Sequence, residues 1–320
     1  MPPSLVCVRT AAEQSILDVT REVMDALRWR ETVPQGARVV IKPNLCTPHA
    51  EQAEAANVST ELIEAVCRVL LERTDDITLV EADGMRYRAE EAFAVGGVDV
   101  LANQLGIRVA NLSKAELVES PIRLLKGWPL PRVLLEADAF ITLPVLKTHT
   151  RTYFTGCLKN QWGCVPQYHR ILLHKHLDRL LAELHHLLRP ALCIMDGLVG
   201  MEGRGPVSGR LVHLGVVLGS RDGVALDAAA MRLVGLDPER ARHVALAARL
   251  GYGRFRPEEI EVDSDVEITH RFEPGFDDWA GHLEEILSRS RFLTKSIILN
   301  DRVYFPIRRM VLAIRSLGRS

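Results

Sequence analysis

The feature that most constrains the fold is a repeated alternation of short apolar segments with segments of helical periodicity. The apolar segments have the length of buried strands and lie at 38–41, 77–80, 107–109, 139–143, 191–195 and 212–218. The helical segments lie at 12–30, 59–73, 90–95, 176–188, 223–234 and 238–250, and Asp222 is placed to cap the fifth of them. Strands that are apolar on both faces are typical of a mostly parallel sheet with helices on both faces. The sequence therefore predicts an α/β fold.

The length of 320 residues, of which 47% are hydrophobic, is enough for one large core domain. The chain turns acidic and irregular near residues 255–275. We therefore predict an α/β core domain over residues 1–255, with functional loops at the carboxyl ends of its strands. A C-terminal extension over residues 256–320 would serve as a packing or oligomer contact.

Charge and composition exclude several classes of function. The formal net charge is −1, so no overall field favours nucleic acid, and no nucleic-acid partner is expected. The N-terminus lacks the pattern of a secretory signal, and no stretch approaches the ~18 apolar residues of a spanning helix. Six scattered cysteines read as reduced thiols. We expect a cytoplasmic protein.

Polar residues directly follow four of the predicted strands. In an open parallel sheet all carboxyl ends of the strands point the same way, and ligands bind in the crevice beyond them. Polarity in any one of these loops is ordinary, but its recurrence in all four favours a functional site. The residues that would meet at this edge are Lys42, Asn44, Asp83, Lys147, His149 and Asp196.

The segment 144–176 has little strand character, and long irregular segments of this kind are usually functional. Arg170 and the lysines of the segment suit a phosphate or a carboxylate. Lys159 lies beside Leu158 and Trp162, so burial could lower its pKa and make it a base or a nucleophile. His149 and His174 could shuttle protons.

Two other interpretations of this segment remain open. Residues 155–164 could form a short buried helix in which Lys159 pairs with Asp83 or Asp196 for structure alone. Alternatively, Cys157 and Cys164, which lack a standard metal-binding spacing, could join Cys46 and a histidine in space. The cofactor would then be a divalent metal or an iron–sulfur cluster.

A glycine-rich segment at 197–209 follows Asp196. Its glycines, among them Gly203 and Gly205, could expose backbone N–H groups to an anion. It matches neither a Walker loop nor the dinucleotide fingerprint. The alternative is a hairpin-like connection that holds no ligand.

The C-terminal tail is basic and amphipathic. From Arg289 onward it has eight basic residues and one acid, Asp301, and its last helix has one apolar face. Such a helix can lie on an anionic membrane surface. Because short amphipathic helices of soluble proteins usually pack, we favour docking on the core or a homodimer contact.

These motifs in combination resemble the bacterial and archaeal family called domain of unknown function 362, over about residues 36–255. The resemblance implies membership but no general activity. Some members carry a ferredoxin-like segment with clustered cysteines, which this chain lacks, so the resemblance does not imply electron transfer. The residues that carry it are Lys42-Pro43-Asn44, the segments 143–149 and 155–163, His174, Asp196-Gly197 and the segment 203–206.

A looser similarity is to the nickel-pincer lactate racemase family. It rests on His149 followed by Gly156 and Lys159, without the doubled glycine beside the lysine. It keeps a racemase-like reaction as an alternative.

The sequence thus predicts an enzyme that acts on a small anionic or phosphorylated substrate. Proton transfer would fall to Lys147, His149, Lys159 and His174. Asp83 and Asp196 would orient those bases or hold a divalent ion. The alternatives are a metal or iron–sulfur protein using Cys46, Cys157 and Cys164, a racemase-like enzyme and a non-catalytic binding protein. The residues expected to hold the substrate are Lys42, Asn44, Asp83, Asn160, Arg170, Asp196, Gly203 and Gly205.

Overall fold

The structure, a computed structural model, describes residues 2–275 and 290–317. The strands are β1 (Ser4–Thr10), β2 (Val39–Pro43), β3 (Ile77–Glu81), β4 (Arg108–Asn111), β5 (Leu117–Val118), β6 (Leu130–Pro131), β7 (Ala139–Leu143), β8 (Val145–His149), β9 (Tyr153–Phe154), β10 (Leu192–Glu202), β11 (Arg210–Ser220) and β12 (Ile260–Ser264).

The helices are α1 (Ile16–Ala26), α2 (Ala50–Ala53), α3 (Thr60–Leu70), α4 (Ala89–Val95), α5 (Val98–Leu105), α6 (Arg132–Leu135), α7 (Gly156–Asn160), α8 (Leu177–Leu188), α9 (Gly223–Leu233), α10 (Arg242–Arg249), α11 (Arg291–Leu293) and α12 (Asp301–Leu317). Two 3₁₀ turns, Gln161–Cys164 and Arg170–His176, follow α7.

The main sheet has the strand order β12-β1-β11-β10-β7-β2-β3-β4, and β8 and β9 branch from β10. The strands β10, β7, β2, β3 and β4 are parallel to one another, whereas β11 runs antiparallel to both β10 and β1. The predicted α/β fold with a mostly parallel sheet is confirmed.

Successive residues of a strand point to opposite sides of the sheet. Because all five residues of β2 are buried, both faces of the sheet are covered. Val39 and Ile41 pack in one apolar layer with residues of α1 and α3, while Val40 packs in another with Phe140 and Leu188. Each such aliphatic side chain contributes about 1.5–3 kcal/mol when it leaves water. This burial fixes the strands from which the site projects.

Helix caps follow the predicted chemistry. The Ser59 side chain accepts a hydrogen bond from Leu62 N at the start of α3. Asp222 caps α9 by accepting from the backbone N–H groups of Val224 and Ala225, as its position predicts.

Two segments differ from the sequence prediction. Residues 145–149 form β8, which pairs with β10, so the expectation of little strand character is wrong there. Three of its residues are polar, so it lacks an apolar pattern and its pairing comes from residues far along the chain. β10 continues through Glu202, which leaves only the second half of the glycine segment as the turn into β11.

The C-terminal segment contacts the loop that follows β3. The Arg86 guanidinium lies 3.8 Å from the ring centroid of Tyr304 and donates to Ile298 O. The predicted boundary at residue 255 stays a prediction, although β12 pairs with β1 within the main sheet. Residues 276–289 and 318–320, and with them Arg289 and part of the predicted extension, lie outside the described residues. In the part of the chain that the structure describes, no helix is long and apolar enough to span a membrane.

Candidate functional site

A cavity of about 100 Å³ lies where β2, β3 and β8 end. The helix α7 and the turn that follows it form one wall, and the tip of the β10–β11 hairpin forms another. The cavity lies at the edge where the sequence predicts the site, because parallel strands deliver their polar ends together. It is lined by Lys42, Asn44, Leu45, Cys46, Glu81, Tyr87, Lys147, His149, Thr155, Lys159, Asn160, Trp162, Gly163, Arg170 and Pro206.

A buried ion pair forms the floor of the cavity. Lys42 Nζ lies 2.6 Å from Glu81 Oε2 and donates to Pro43 O at 2.7 Å. The other carboxylate oxygen, Glu81 Oε1, accepts from Ala82 N. Gly163 lies against this pair, since a Cβ there would come within 2.7 Å of both Glu81 Oε1 and Lys42 Cε. The charge of Lys42 is thus already neutralised.

Asn160 ties α7 to the ends of two strands. Its Nδ2 donates to Lys42 O and to Thr142 Oγ1, both at 2.9 Å. Asn160 is therefore a positioning residue for the helix that carries Lys159.

Lys147 is fully buried and surrounded by acceptors. Its Nζ donates to Asn44 Oδ1 at 3.0 Å, to Cys46 Sγ at 3.3 Å, to Pro206 O at 3.4 Å and to Ala56 O. Burial lowers the pKa of Lys147, while these acceptors stabilise its charged form. The ammonium group is occupied by the protein itself.

Lys159 differs from the other two lysines. Its side chain is partly exposed, and its Nζ has no hydrogen-bond or ion-pair partner within residues 2–275 and 290–317. Burial, together with the positive charge of Arg170, lowers the pKa of Lys159 to about 7. The predicted lowering of this pKa is present, and α7 is the short helix that the structural alternative predicted. The ion pair of that alternative, to Asp83 or Asp196, is not formed.

Arg170 reaches the cavity from the second 3₁₀ turn. Its Nη1 donates to Asp83 O at 2.9 Å and to Val165 O at 3.2 Å. No carboxylate of the described residues pairs with it, and burial lowers its pKa. The other side of the guanidinium is left to meet a ligand.

The positive charge of Lys159 acts on three histidines, of which His149 lines the cavity with it. His149 Nδ1 accepts from Arg151 N at 3.0 Å, which places the proton of the neutral ring on Nε2. Burial and the charge of Lys159 lower the pKa of His149 well below its ordinary value. The same causes act on His243, whose pKa is lowered to about 3. His174 packs on Trp162, with ring centroids 5.9 Å apart, and burial lowers its pKa too.

Several of these rings have no internal partner. In the described part of the chain, neither ring nitrogen of the fully buried His243 has a hydrogen-bond partner, and His174 Nδ1 has none. Buried polar atoms are normally satisfied. His174 Nδ1 and both ring nitrogens of His243 therefore keep hydrogen-bonding capacity that no described residue takes up.

Asp227 holds α7 from behind. From the interior of α9 it accepts from Cys157 N at 2.6 Å and from Leu158 N at 3.2 Å. Burial raises its pKa to about 7, although both N–H groups favour the charged form. Gly156, with φ of +56°, has no room for a Cβ against this carboxylate.

The electrostatic balance of the cavity is positive. Four cationic side chains line it, and the one carboxylate among the lining residues, Glu81, is paired with Lys42. In a low-dielectric site an unpaired cation is costly unless an anion joins it. The arrangement suits a small anion or the anionic end of a larger molecule.

Some predicted binding residues lie outside this cavity. Asp83 accepts from Ala89 N and Asn111 Nδ2, so its carboxylate serves the start of α4. Asp196 accepts from Ser59 N at 2.7 Å and so anchors α3, and burial raises its pKa.

Gly203 and Gly205 lie against the end of β8. A Cβ on Gly205 would overlap Thr148 O, and Gly205 O accepts from Thr150 N. Pro206, which follows Gly205, accepts from Lys147 Nζ at 3.4 Å through its carbonyl oxygen.

The structure does not bring the three candidate cysteine ligands together. Cys46 contacts Lys147, and burial raises the pKa of Cys164 to about 12. Cys157 lies beside Cys193 and Asp227. Among the residues that the structure describes, no group of three or more His, Cys, Asp or Glu side chains could hold a metal ion.

Sequence reasoning missed Glu81, Asp227 and His243. Glu81 is the last residue of an apolar strand, a signal that the sequence does carry. Asp227 and His243 lie within helices, and only the tertiary structure shows that they reach α7 and Lys159.

Comparison with known proteins supports the family resemblance. The sequence model described as Domain of unknown function (DUF362) matches residues 39–232. A thylakoid-associated protein of Synechocystis sp. is 27% identical over 295 residues, which cover 86% of this chain and 85% of that protein.

Two solved structures show weaker similarity. The lactate racemase apoprotein from Thermoanaerobacterium thermosaccharolyticum has a TM-score of 0.42 and 14% identity, covering 69% of this chain and 57% of the racemase. A structural-genomics protein from Thermotoga maritima has a TM-score of 0.36 and 14% identity, covering 75% of this chain and 60% of that one. At these scores neither structure carries a functional argument.

Proposed function

The chain belongs to the family described as Domain of unknown function (DUF362), and from that premise we propose that it is an enzyme acting on a small anionic substrate. The observation that carries the proposal is the cavity with four cations and one carboxylate, in which the ammonium group of Lys159 has no partner among the described residues. Arg170 and Lys159 bind the anionic group of the substrate. Lys159 and His149 transfer protons to and from it.

Burial allows Lys159 both to bind an anion and to transfer a proton. With a pKa of about 7, Lys159 can give or accept a proton near neutral pH, where an ordinary lysine is almost wholly charged. The His149 ring is neutral and presents its Nε2–H as a donor. Asn160 and Asp227 keep α7, and with it Lys159, in register with the strand ends.

Binding of sulfate tests the proposal, because this ion has constant charge near neutral pH. We expect saturable binding by calorimetry to the purified full chain, and a loss of about tenfold or more in affinity for Lys159→Met, since a charge-assisted contact contributes about 1.5–3 kcal/mol. Lys126→Met, at an exposed position, is the matched control and should bind as the parent does. Equal affinity of all three proteins would refute the assignment.

The sequence favours docking or a homodimer contact for the C-terminal segment, but because of its exposed apolar side chains we propose a second role, contact with an anionic membrane surface. Phe292 is 75% exposed and Met310 57% exposed, next to a predominantly basic sequence. Apolar side chains flanked by arginine and lysine suit an anionic lipid interface. The similarity to a thylakoid-associated protein agrees with this role.

Sedimentation with vesicles tests this second role. We expect the full chain to bind vesicles that contain phosphatidylglycerol and not vesicles of phosphatidylcholine alone. The double variant Phe292→Ser/Met310→Ser should lose binding, whereas Val100→Ser, which removes an exposed apolar side chain from α5, should retain it. A stable dimer in solution that is lost in the double variant would instead support the homodimer contact.

A further inference from the structure

We propose that Lys159 forms an imine with the carbonyl carbon of a small 2-oxo acid bound in the cavity. The proposal rests on the proposed function, of which it names the substrate class. It is carried by the contrast among the three lysines that line the cavity and by Arg170, which lines it with them.

Lys159 differs from the other two lysines of the cavity in the surroundings of its amine. Lys42 Nζ is paired with Glu81, and Lys147 Nζ lies within hydrogen-bond distance of four acceptors, so both nitrogens are engaged by the protein itself. Lys159 Nζ has no partner within the described residues and faces the cavity. Only an amine that can lose its proton and keep its lone pair free can attack a carbonyl carbon.

Burial and nearby cations supply the free amine. The positive charge of Arg170 adds to desolvation, and with a pKa of about 7 about half of the Lys159 side chains are neutral at pH 7. In an ordinary lysine the neutral fraction at that pH is about 0.03%. No carboxylate of the described residues pairs with Lys159 to restore the charge.

The cavity also provides for the other end of a 2-oxo acid. Arg170 has donors on the side away from Asp83 O and Val165 O, and these can meet a carboxylate. The volume of about 100 Å³ limits the ligand to a few heavy atoms or to the end of a longer molecule.

The step needs only protons besides the two reactants. The Lys159 nitrogen bonds to the carbonyl carbon, and the carbonyl electron pair moves to oxygen, which takes up a proton that the nitrogen loses while His149 Nε2–H donates a hydrogen bond to that oxygen. The resulting carbinolamine loses its hydroxyl group together with the remaining proton of the nitrogen, as water. The net change is amine plus carbonyl to imine plus water, with no oxidant or reductant. Uptake of one proton from solvent gives the protonated imine, whose positive charge lies beside the bound carboxylate.

Trapping with pyruvate tests this inference on the full chain. Pyruvate and cyanoborohydride are added at pH 7, and the modified peptides are identified by mass spectrometry. We expect one reduced pyruvate adduct on Lys159, in at least about tenfold excess over the exposed Lys126. Lys159→Arg should lose the adduct while it still binds sulfate, and Lys126→Met should keep it.

The other outcomes separate the two proposals. Sulfate binding that depends on Lys159, without an adduct at Lys159, overturns the imine and leaves anion binding in place. Adducts spread evenly over exposed lysines also overturn the imine. If sulfate and pyruvate both fail to bind the parent chain, the proposed function fails as well.

Discussion

The lowered pKa of Lys159 makes anion affinity depend on pH in a way that can be worked out. With a pKa of about 7 in the empty site, Lys159 must take up a proton to pair with sulfate once the pH exceeds that value. Each pH unit above it then costs about 1.36 kcal/mol, or about tenfold in Kd. Below pH 7 the side chain is already charged, so the affinity is expected to level off.

The assay is calorimetric titration with sulfate from about pH 6 to about pH 9, in two buffers that differ in their enthalpy of ionisation. At pH 7 the buffer dependence should report uptake of about half a proton per sulfate bound. Affinity should fall about tenfold between pH 8 and pH 9.

Lys159→Met and Lys126→Met serve as the paired comparison. The first should bind more weakly and without proton uptake, while the exposed substitution should reproduce the parent profile. A Kd that stays constant over this range in the parent chain, or proton uptake that persists in Lys159→Met, would refute the reasoning.

Three further predictions concern stability. Glu81→Leu should destabilise the fold by about 3–5 kcal/mol in urea unfolding, because it leaves Lys42 buried without a counter-charge. The double variant Lys42→Met/Glu81→Leu should recover most of that loss of stability. Equal losses in the two variants would contradict the role of the ion pair. Gly205→Ala should lower the melting temperature by about 2 °C or more because the added methyl group overlaps Thr148 O, and an unchanged temperature would contradict this. Lys159→Met should raise stability by about 1–2 kcal/mol at pH 7. Since the pKa of Lys159 is lower in the folded than in the unfolded chain, that gain should shrink in melts as the pH rises from 7 toward 10, and a gain that grows with pH would contradict the sign.

Much of the fold could be predicted because the strongest signals in the sequence are the buried ones. Strands such as β2 and β7 are apolar on both faces, and a parallel arrangement follows from that pattern. The same geometry explains why the sequence alone could assign Lys42, Asn44 and Lys147 to one edge of the sheet. Local chemistry also predicted the capping role of Asp222.

The remaining parts depend on contacts between distant residues. Polarity after β3 pointed to Asp83, yet Glu81, two residues earlier, faces the cavity, because the side chain of Asp83 turns away to the start of α4. β8 is held by β10 and not by an apolar pattern of its own. Asp227 reaches α7 only because α9 packs against it.

The ion pair of Lys42 and Glu81 can lie directly beneath Gly163 because this residue has no side chain. The space that a methyl group would need is already filled by Glu81 Oε1 and Lys42 Cε. Bulk added at this one position would therefore separate the two charges mechanically while the titratable groups stay the same. A substitution at Gly163 would thus separate what the packing of the ion pair contributes to stability from what its charges contribute.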